Sequence, residues 1–241
     1  AEGQLSAFVQ SQVDASGTVT GGELLMRWNH PVRGSVPPSR FIPVAESSGL
    51  ILRMGDWMIL QACEVLARLQ AAGQDLSLAV NVSERQFRQN DFVERVRGML
   101  AQTGAPATQL ILEVTESLLI ENLDSTIARM TELGQLGVRF SIDDFGTGYS
   151  SLAYLKRLPL YELKIDKSFV QDTPSDPNDT AIVQSIISVA KHLKLRVVAE
   201  GVETRAQADF LVSSQCDCLQ GYLFSKPEPL QGWLARQLGA G

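Results

Sequence analysis

Short apolar runs recur along the chain with stretches of helical periodicity between them, and nearly every run carries a carboxylate, an amide or a lysine inside it or at its C-terminal end. The runs predict strands over Leu5–Val13, Gly22–Trp28, Leu76–Val82, Gln109–Val114, Val138–Ile142, Tyr161–Ile165, Arg196–Ala199 and Cys216–Leu219. Most are β-branched or aliphatic and are bounded by Gly, Pro, Asp or Asn. Strands that alternate with helices form a largely parallel sheet. About eight of them in 241 residues favour a closed barrel, whose usual size is about 250 residues, over an open sheet. No linker, repeat or low-complexity tract divides residues 1–241, so a single domain is expected. The start at Ala1, close before a strand, is read as the edge of a domain from a longer protein.

The helical stretches have the spacing of buried faces. One is predicted to start at Asp56 as N-cap, with Ile59, Ala62, Cys63, Leu66 and Leu69 inward. Another runs from about Leu123, with Ile127, Met130 and Leu133 on one face, and stops before Gly137. A third follows the Pro174–Asn178 loop and turns Ile182, Val183, Ile186, Val189, Ala190 and Leu193 inward. It ends among Lys191, His192 and Lys194, where positive charge suits a helix C-terminus.

Composition narrows the class. Hydrophobic residues make up 44% and charged residues 20%, which excludes disordered, collagen-like and coiled-coil chains. No apolar run approaches the roughly 20 residues of a membrane span, and no basic start with an apolar stretch marks a secretion signal. A net charge of −6 argues against binding duplex nucleic acid, which needs a basic face. Cys63, Cys216 and Cys218 read as reduced thiols. Cys216 and Cys218 lack the second Cys or His pair of a zinc site.

The polar residues at the strand ends are Glu23 and Arg27, Asn81, Glu113 and Glu116, Asp143 and Asp144, Lys164 and Asp166, Glu200 and Glu203, and Gln220. In a parallel barrel these ends share one rim, where catalytic side chains collect. Carboxylates brought together repel, and divalent cations relieve that. Oxygen donors without paired His or Cys suit Mg²⁺ or Mn²⁺. Neighbouring Asp143 and Asp144 face one site only if the strand ends there, a break that Gly146 and Gly148 would supply. One carboxylate could then bridge two metals about 4 Å apart, as in displacement at phosphorus. Each of these residues has an ordinary alternative as a cap or an ion-pair partner, and Asp144 before Phe145-Gly146 could cap a turn. Spacing alone reaches a metal-dependent hydrolase or lyase on a barrel.

The strings themselves go further. In order they are Glu23-Leu-Leu-Met-Arg-Trp-Asn-His-Pro, Phe41-Ile-Pro-Val-Ala-Glu-Ser-Ser-Gly-Leu-Ile, Asn81-Val-Ser-Glu-Arg-Gln-Phe, Leu112-Glu-Val-Thr-Glu-Ser, Ile142-Asp-Asp-Phe-Gly-Thr-Gly-Tyr-Ser-Ser-Leu, Leu163-Lys-Ile-Asp, Ala199-Glu-Gly-Val-Glu-Thr and Gln220-Gly-Tyr-Leu-Phe-Ser-Lys-Pro. Together they resemble the EAL-domain family of bacterial cyclic di-GMP phosphodiesterases over nearly the whole chain. The resemblance implies a modified (β/α)8 TIM barrel with an antiparallel first strand. It implies hydrolysis of cyclic di-GMP to linear pGpG with two Mg²⁺ or Mn²⁺ ions, with Ca²⁺ inhibitory. It also implies a cytoplasmic location, a homodimer, and an N-terminal sensor or diguanylate cyclase domain in the full-length protein.

By the same resemblance Glu23, Asn81, Glu113 and Asp143 are ligands of the first metal, and Asp143 and Asp144 hold the second. Lys164 positions the attacking water and Glu200 is the general base. Glu116 anchors the loop after Asp143. Gln10, Arg27, Asp166, Glu203 and Gln220 fall at substrate-contact positions. Two positions depart from the family pattern: Leu24 stands where the signature has Ala, and Ser11 where Pro is common. Leu24 should face away from the site. The intact acidic set favours an enzyme over a receptor that only binds the nucleotide, and the ordered motifs argue against a barrel enzyme that abstracts protons beside carboxylates. Tyr222 and Phe145 could stack on guanine, but packing is the expected role of each. His30 reads as loop structure and His192 as a helix-end cation.

Overall fold

The chain's two longest strands come first and run antiparallel, β1 (Leu5–Val13) against β2 (Val19–His30). The turn between them is held by Asp14, whose Oδ1 accepts hydrogen bonds from the backbone N–H of Ser16 and Thr18, with Gly17 at φ 85°. Asp and Gly are the residues such a turn needs. The computed structural model describes residues 3–116, 118, 122–146 and 155–239. Gly148 and most of the segment after Gly146 therefore lie outside the described residues.

From β2 the sheet continues in parallel through β4 (Ser77–Asn81), β5 (Leu110–Thr115), β6 (Arg139–Phe145), β7 (Glu162–Ile165), β8 (Arg196–Ala199) and β9 (Cys218–Leu219). β9 then pairs antiparallel with β1 through Val13 and Leu219, which closes an eight-stranded barrel. Only β1 runs against the others, as expected from the resemblance. Two short strands lie outside the ring. β3 (Gly34–Val36) extends β2, and β10 (Glu228–Pro229) pairs with Phe8 and Val9 of β1. Pairing with β3 carries β2 two residues past Trp28.

Helices cover the outside: α1 (Pro38–Ser48), α2 (Leu50–Ala71), α3 (Glu84–Phe87), α4 (Phe92–Thr103), α5 (Leu123–Gln135), α6 (Lys167–Val170), α7 (Pro177–His192), α8 (Arg205–Ser213) and α9 (Leu230–Gln237). Outward-facing strand residues such as Leu24, Val80, Leu112, Ile142, Leu163 and Val197 pack under them in one apolar core. Leu24 is 1% exposed there, so the larger side chain is absorbed on the helix side of the wall.

Four expectations change. α2 begins at Leu50, after a left-handed Gly49, and not at Asp56. The Asp56 carboxylate is used instead to accept from Gln86 Nε2 at 2.9 Å and to pair with Arg95 at 3.1 Å. α7 begins at Pro177, inside the expected loop, because Asp176 caps it by accepting from Asn178 and Asp179. Its buried face is Val183, Ile186, Ile187 and Ala190, while Ile182 is 38% exposed. Cys216 lies before β9, and all three cysteines are free and buried.

Candidate active site

Glu23 is carried to the barrel interior by a stretch of β2 that opens with two glycines. A Cβ on Gly21 would stand 2.3 Å from the Ser77 carbonyl, and one on Gly22 would stand 2.6 Å from Val9 Cγ2. The missing side chains let β1 and β4 close on β2 where Glu23 emerges. From β4, Asn81 Nδ2 donates to Glu23 Oε1 at 2.7 Å. Gln220, just after β9, donates from Nε2 to Glu23 Oε2 at 2.7 Å.

Lys164, on β7, is the centre of the site. Its Nζ lies 3.3 Å from Glu23 Oε2, 3.0 Å from Glu113 Oε1, 3.1 Å from Asp143 Oδ1 and 2.6 Å from Glu200 Oε1. Burial disfavours its charge, but the four carboxylates outweigh that and raise its pKa well above the usual lysine value. The ammonium stays protonated. Burial pushes the Glu23 carboxyl up, but Lys164 and the Gln220 and Asn81 amides together hold it below the usual carboxylate range.

Glu113, Glu200 and Asp144 move the other way. Burial, then Glu23, pushes Glu113 well above its ordinary value. Both Glu113 oxygens are buried and accept no hydrogen bond; Lys164 is their ion-pair partner. Burial raises Glu200 to about 7, despite Lys164. Burial and the neighbouring Asp143 raise Asp144 to about 6.

Asp143 and Asp144 do reach one site, though by a different route from the one expected. β6 runs on through Phe145, and its pairing with β7 is irregular between Ile142 and Phe145. Within that stretch Asp144 takes φ 53°, the left-handed region that Asp tolerates better than most residues. One oxygen each of Asp143, Asp144 and Glu200 then lie within 4.8 Å of one another. Carboxylate and amide oxygens, with Glu113 buried and short of donors, fit a hard divalent cation such as Mg²⁺ or Mn²⁺.

The other candidates take different places. Asp166 caps α6, accepting from the Ser168 N–H at 3.0 Å, and shares a hydrogen bond with Asp144. Half-buried Arg27 holds the Met26 carbonyl at 3.0 Å, with its guanidinium 5.7 Å from the centre of the Phe8 ring. A cavity of about 290 Å³, lined by Met26, Ile42, Met58 and Thr115, opens beside Arg27 and Asn81. Glu116 follows β5 and is not among the Lys164 partners. Glu203 is exposed, and its N–H donates to Gln207 Oε1. Gln10 is 8% exposed and donates to the Ser225 carbonyl at 2.9 Å.

Phe145 is buried, but Tyr222 is 57% exposed, with Lys226 5.5 Å from its ring centre, so packing is not its role. A Gly-Tyr pair directly after a strand carries no outward signal of that exposure. His30 Nδ1 accepts from Val32 and Arg33, and His192 bonds the Ser188 carbonyl, so both stay outside the site. Sequence reasoning missed Gln12, buried at 1% with its Nε2 on Gln220 Oε1 at 2.9 Å. The alternation of Gln10 with Gln12 on a strand was the available signal. It also missed Trp233, whose Nε1 donates to Ser11 Oγ at 2.9 Å. Where the family often has proline, Ser11 uses its backbone N–H on Ser225 Oγ at 3.1 Å.

Known proteins share this arrangement of elements. Cyclic di-GMP phosphodiesterase NbdA of Pseudomonas aeruginosa is 49% identical over 217 residues, covering 90% of this chain and 28% of NbdA. The bifunctional diguanylate cyclase/cyclic di-GMP phosphodiesterase MucR of the same organism is 44% identical over 96% of this chain and 34% of MucR. The chain thus spans about a third or less of these relatives' length. A solved structure titled PaMucR phosphodiesterase, c-di-GMP complex, superposes with TM-score 0.92 at 43% identity, over 95% of this chain and 94% of that one. The family model described as EAL domain matches residues 1–227, and on this match and these identities the chain belongs to the EAL domain family.

Proposed function

We propose that the domain hydrolyses cyclic di-GMP to linear pGpG. The observation that carries this is the convergence of Glu23, Glu113, Asp143 and Glu200, from four strands or strand ends, on the single Lys164 ammonium. A structural ion pair needs one carboxylate, and an excess of acid around one buried cation is a site kept for further positive charge. The names of NbdA and MucR and the bound nucleotide of the PaMucR structure support the choice of substrate.

In this reading Glu23, Asn81, Glu113 and Asp143 hold one Mg²⁺ or Mn²⁺, and Asp143 and Asp144 hold a second. When bound, the ions neutralise phosphate oxygens and make a water more acidic. Lys164, protonated among its carboxylates, orients the water and stabilises developing negative charge. Glu200, with its pKa near 7, takes a proton from the water. The bond from the water oxygen to phosphorus forms as the bond to the ribose 3′ oxygen breaks, and the leaving oxygen takes a proton from solvent while Glu200 returns the one it accepted. Arg27 forks onto a phosphate, a task its planar guanidinium suits better than an ammonium. Gln10, Gln220, Asp166 and Glu203 complete the substrate contacts, and Glu116 anchors the loop after Asp143. Ca²⁺, larger and looser in coordination, supports binding and poor turnover.

No helix among the described residues is long and apolar enough to cross a membrane. We place the domain in the cytoplasm, as a homodimer joined in the full-length protein to an N-terminal sensor or diguanylate cyclase domain.

The test is to strip metal from the chain, add cyclic di-GMP with Mg²⁺ or Mn²⁺, and resolve the nucleotides. Metal-dependent pGpG that disappears in Glu23→Ala supports the proposal. Tight binding without product makes the domain a receptor, and neither binding nor product removes the nucleotide from consideration.

A further inference from the structure

Two glutamines of the first strand and one just after the last meet beside Glu23, and the directions of the Gln10 and Gln220 amides follow from their partners. Gln220 Nε2 lies 2.7 Å from a carboxylate oxygen of Glu23, and Gln10 Nε2 lies 2.9 Å from the Ser225 carbonyl. Both partners can only accept, so both glutamines must present their nitrogen ends. The Gln220 oxygen consequently faces the opposite way, where Gln12 Nε2 meets it at 2.9 Å. The Gln10 oxygen, 3.4 Å from Gln220 Nε2, takes the second amide proton.

The two ends of a glutamine amide have nearly the same shape, so packing alone does not choose between them. Inverted, Gln220 would set its carbonyl oxygen against the Glu23 carboxylate. It would also turn its nitrogen toward Gln12 Nε2, donor against donor. We propose that Gln12 is a positioning residue: by donating to Gln220 Oε1 it anchors the far end of an amide whose N–H the Glu23 carboxylate already draws toward itself, and so holds Gln220, and with it the Glu23 carboxylate, in place. Gln12 makes no hydrogen bond to Glu23 and acts only through Gln220. The functional part of this inference rests on reading Glu23 as a metal ligand; the amide orientation does not.

Partners that orient a metal ligand from behind typically contribute tenfold to a hundredfold in metal affinity. The experiment uses the full chain as wild type, Gln12→Met, Gln220→Met and the double variant, with Mn²⁺ affinity read from the free-ion paramagnetic resonance signal. Methionine keeps the length and the packing and removes the hydrogen bonds. Gln12→Met is expected to weaken Mn²⁺ binding about tenfold in the wild-type background and to have no further effect in Gln220→Met. Equal loss of affinity in both backgrounds, or wild-type affinity in Gln12→Met, overturns the proposal.

A second reading separates its failure from that of the metal assignment. The Gln220 side-chain amide, assigned by its disappearance in Gln220→Met, should give one sharp pair of NMR signals in wild type. In Gln12→Met it should broaden or shift as the amide, held only through its nitrogen, loses its second anchor. An unchanged sharp pair in Gln12→Met overturns the anchoring role whatever the metal does. A wild-type chain that binds no Mn²⁺ but shows the expected amide behaviour overturns the metal reading alone.

Discussion

Lys164 Nζ and Glu200 Oε1 are 2.6 Å apart, the shortest of the four ion pairs around that ammonium. The pair joins the group proposed to orient the water to the group proposed to take its proton. Lys164→Met would leave four buried or half-buried carboxylates without their shared cation. Breaking a buried pair typically costs about 3–5 kcal/mol. The variant should therefore melt well below wild type without metal, regain much of that difference with Mg²⁺, and lose at least about a hundredfold in kcat, the low end for general acid–base groups. Near-normal turnover in Lys164→Met would remove Lys164 from the mechanism.

Cation binding should strengthen as pH rises. Asp144 is raised to about 6 and Glu200 to about 7 in the metal-free chain, so both hold protons below those values and an ion must displace them. Affinity for Mn²⁺ is expected to fall about tenfold per pH unit for each competing proton below pH 6. Titration calorimetry in buffers of different ionisation enthalpy at pH 6.5 should show protons released. Binding that is independent of pH between 5.5 and 7.5 would contradict this.

The same shifts act on folding, with a definite sign. A carboxyl whose folded pKa is raised binds a proton more tightly when native, so its ionisation opposes folding. For Asp144 and Glu200 the metal-free domain should gain stability as pH falls from about 8 toward 5, with no further gain below the unfolded values of 3.8 and 4.5. Lowered Glu23 and Asp166 act in the opposite direction, near and below pH 4. Urea midpoints with chelator present should follow this course, and Glu200→Gln should flatten it between pH 5 and 8.

Ser11 holds Trp233, which is itself wholly buried. Ser11→Ala leaves the indole N–H without its acceptor, a loss of about 1–3 kcal/mol. Ser11→Pro, which restores the common family residue, also removes the N–H that Ser225 Oγ accepts. Denaturant melts should rank wild type above Ser11→Ala above Ser11→Pro. A Ser11→Pro variant as stable as wild type would show that this hydrogen-bond pair contributes little.

Gly21→Ala should be worse than an ordinary glycine replacement in a strand. Its Cβ would fall 2.3 Å from a backbone oxygen of Ser77, which has no rotamer to yield. Separation of β2 from β4 follows, and Asn81 then loses its place beside Glu23. Lower soluble yield and weaker metal binding are the expected readouts.

The strand-end carboxylates, Asn81, Lys164 and Gln220 were legible because barrel topology turns sequence periodicity into a shared rim. The antiparallel β1 was legible only through the resemblance, since alternation says nothing about direction. Asp56 read as a cap because Asp is a good N-cap, but a left-handed Gly49 starts α2 earlier and frees that carboxylate for Gln86 and Arg95. The φ of Asp144 was hidden for a related reason: a backbone turn inside a strand leaves no mark on side-chain spacing. Ile182 fell on the wrong side because at 100° per residue the edge of a helical stripe is decided by what packs against it.

The ring is joined at Val13 and Leu219, the only registered pair between its first and last strands. A polypeptide emerging from the ribosome contains all four carboxylates and Lys164 by residue 200, yet it has no stave on which Gln220 can reach Glu23. The closed ring thus comes late in such a chain, with only β10 and α9 still to follow. A protease cut or a premature stop shortly before Cys218 would spare all four carboxylates around Lys164 and still leave an open trough instead of a cylinder.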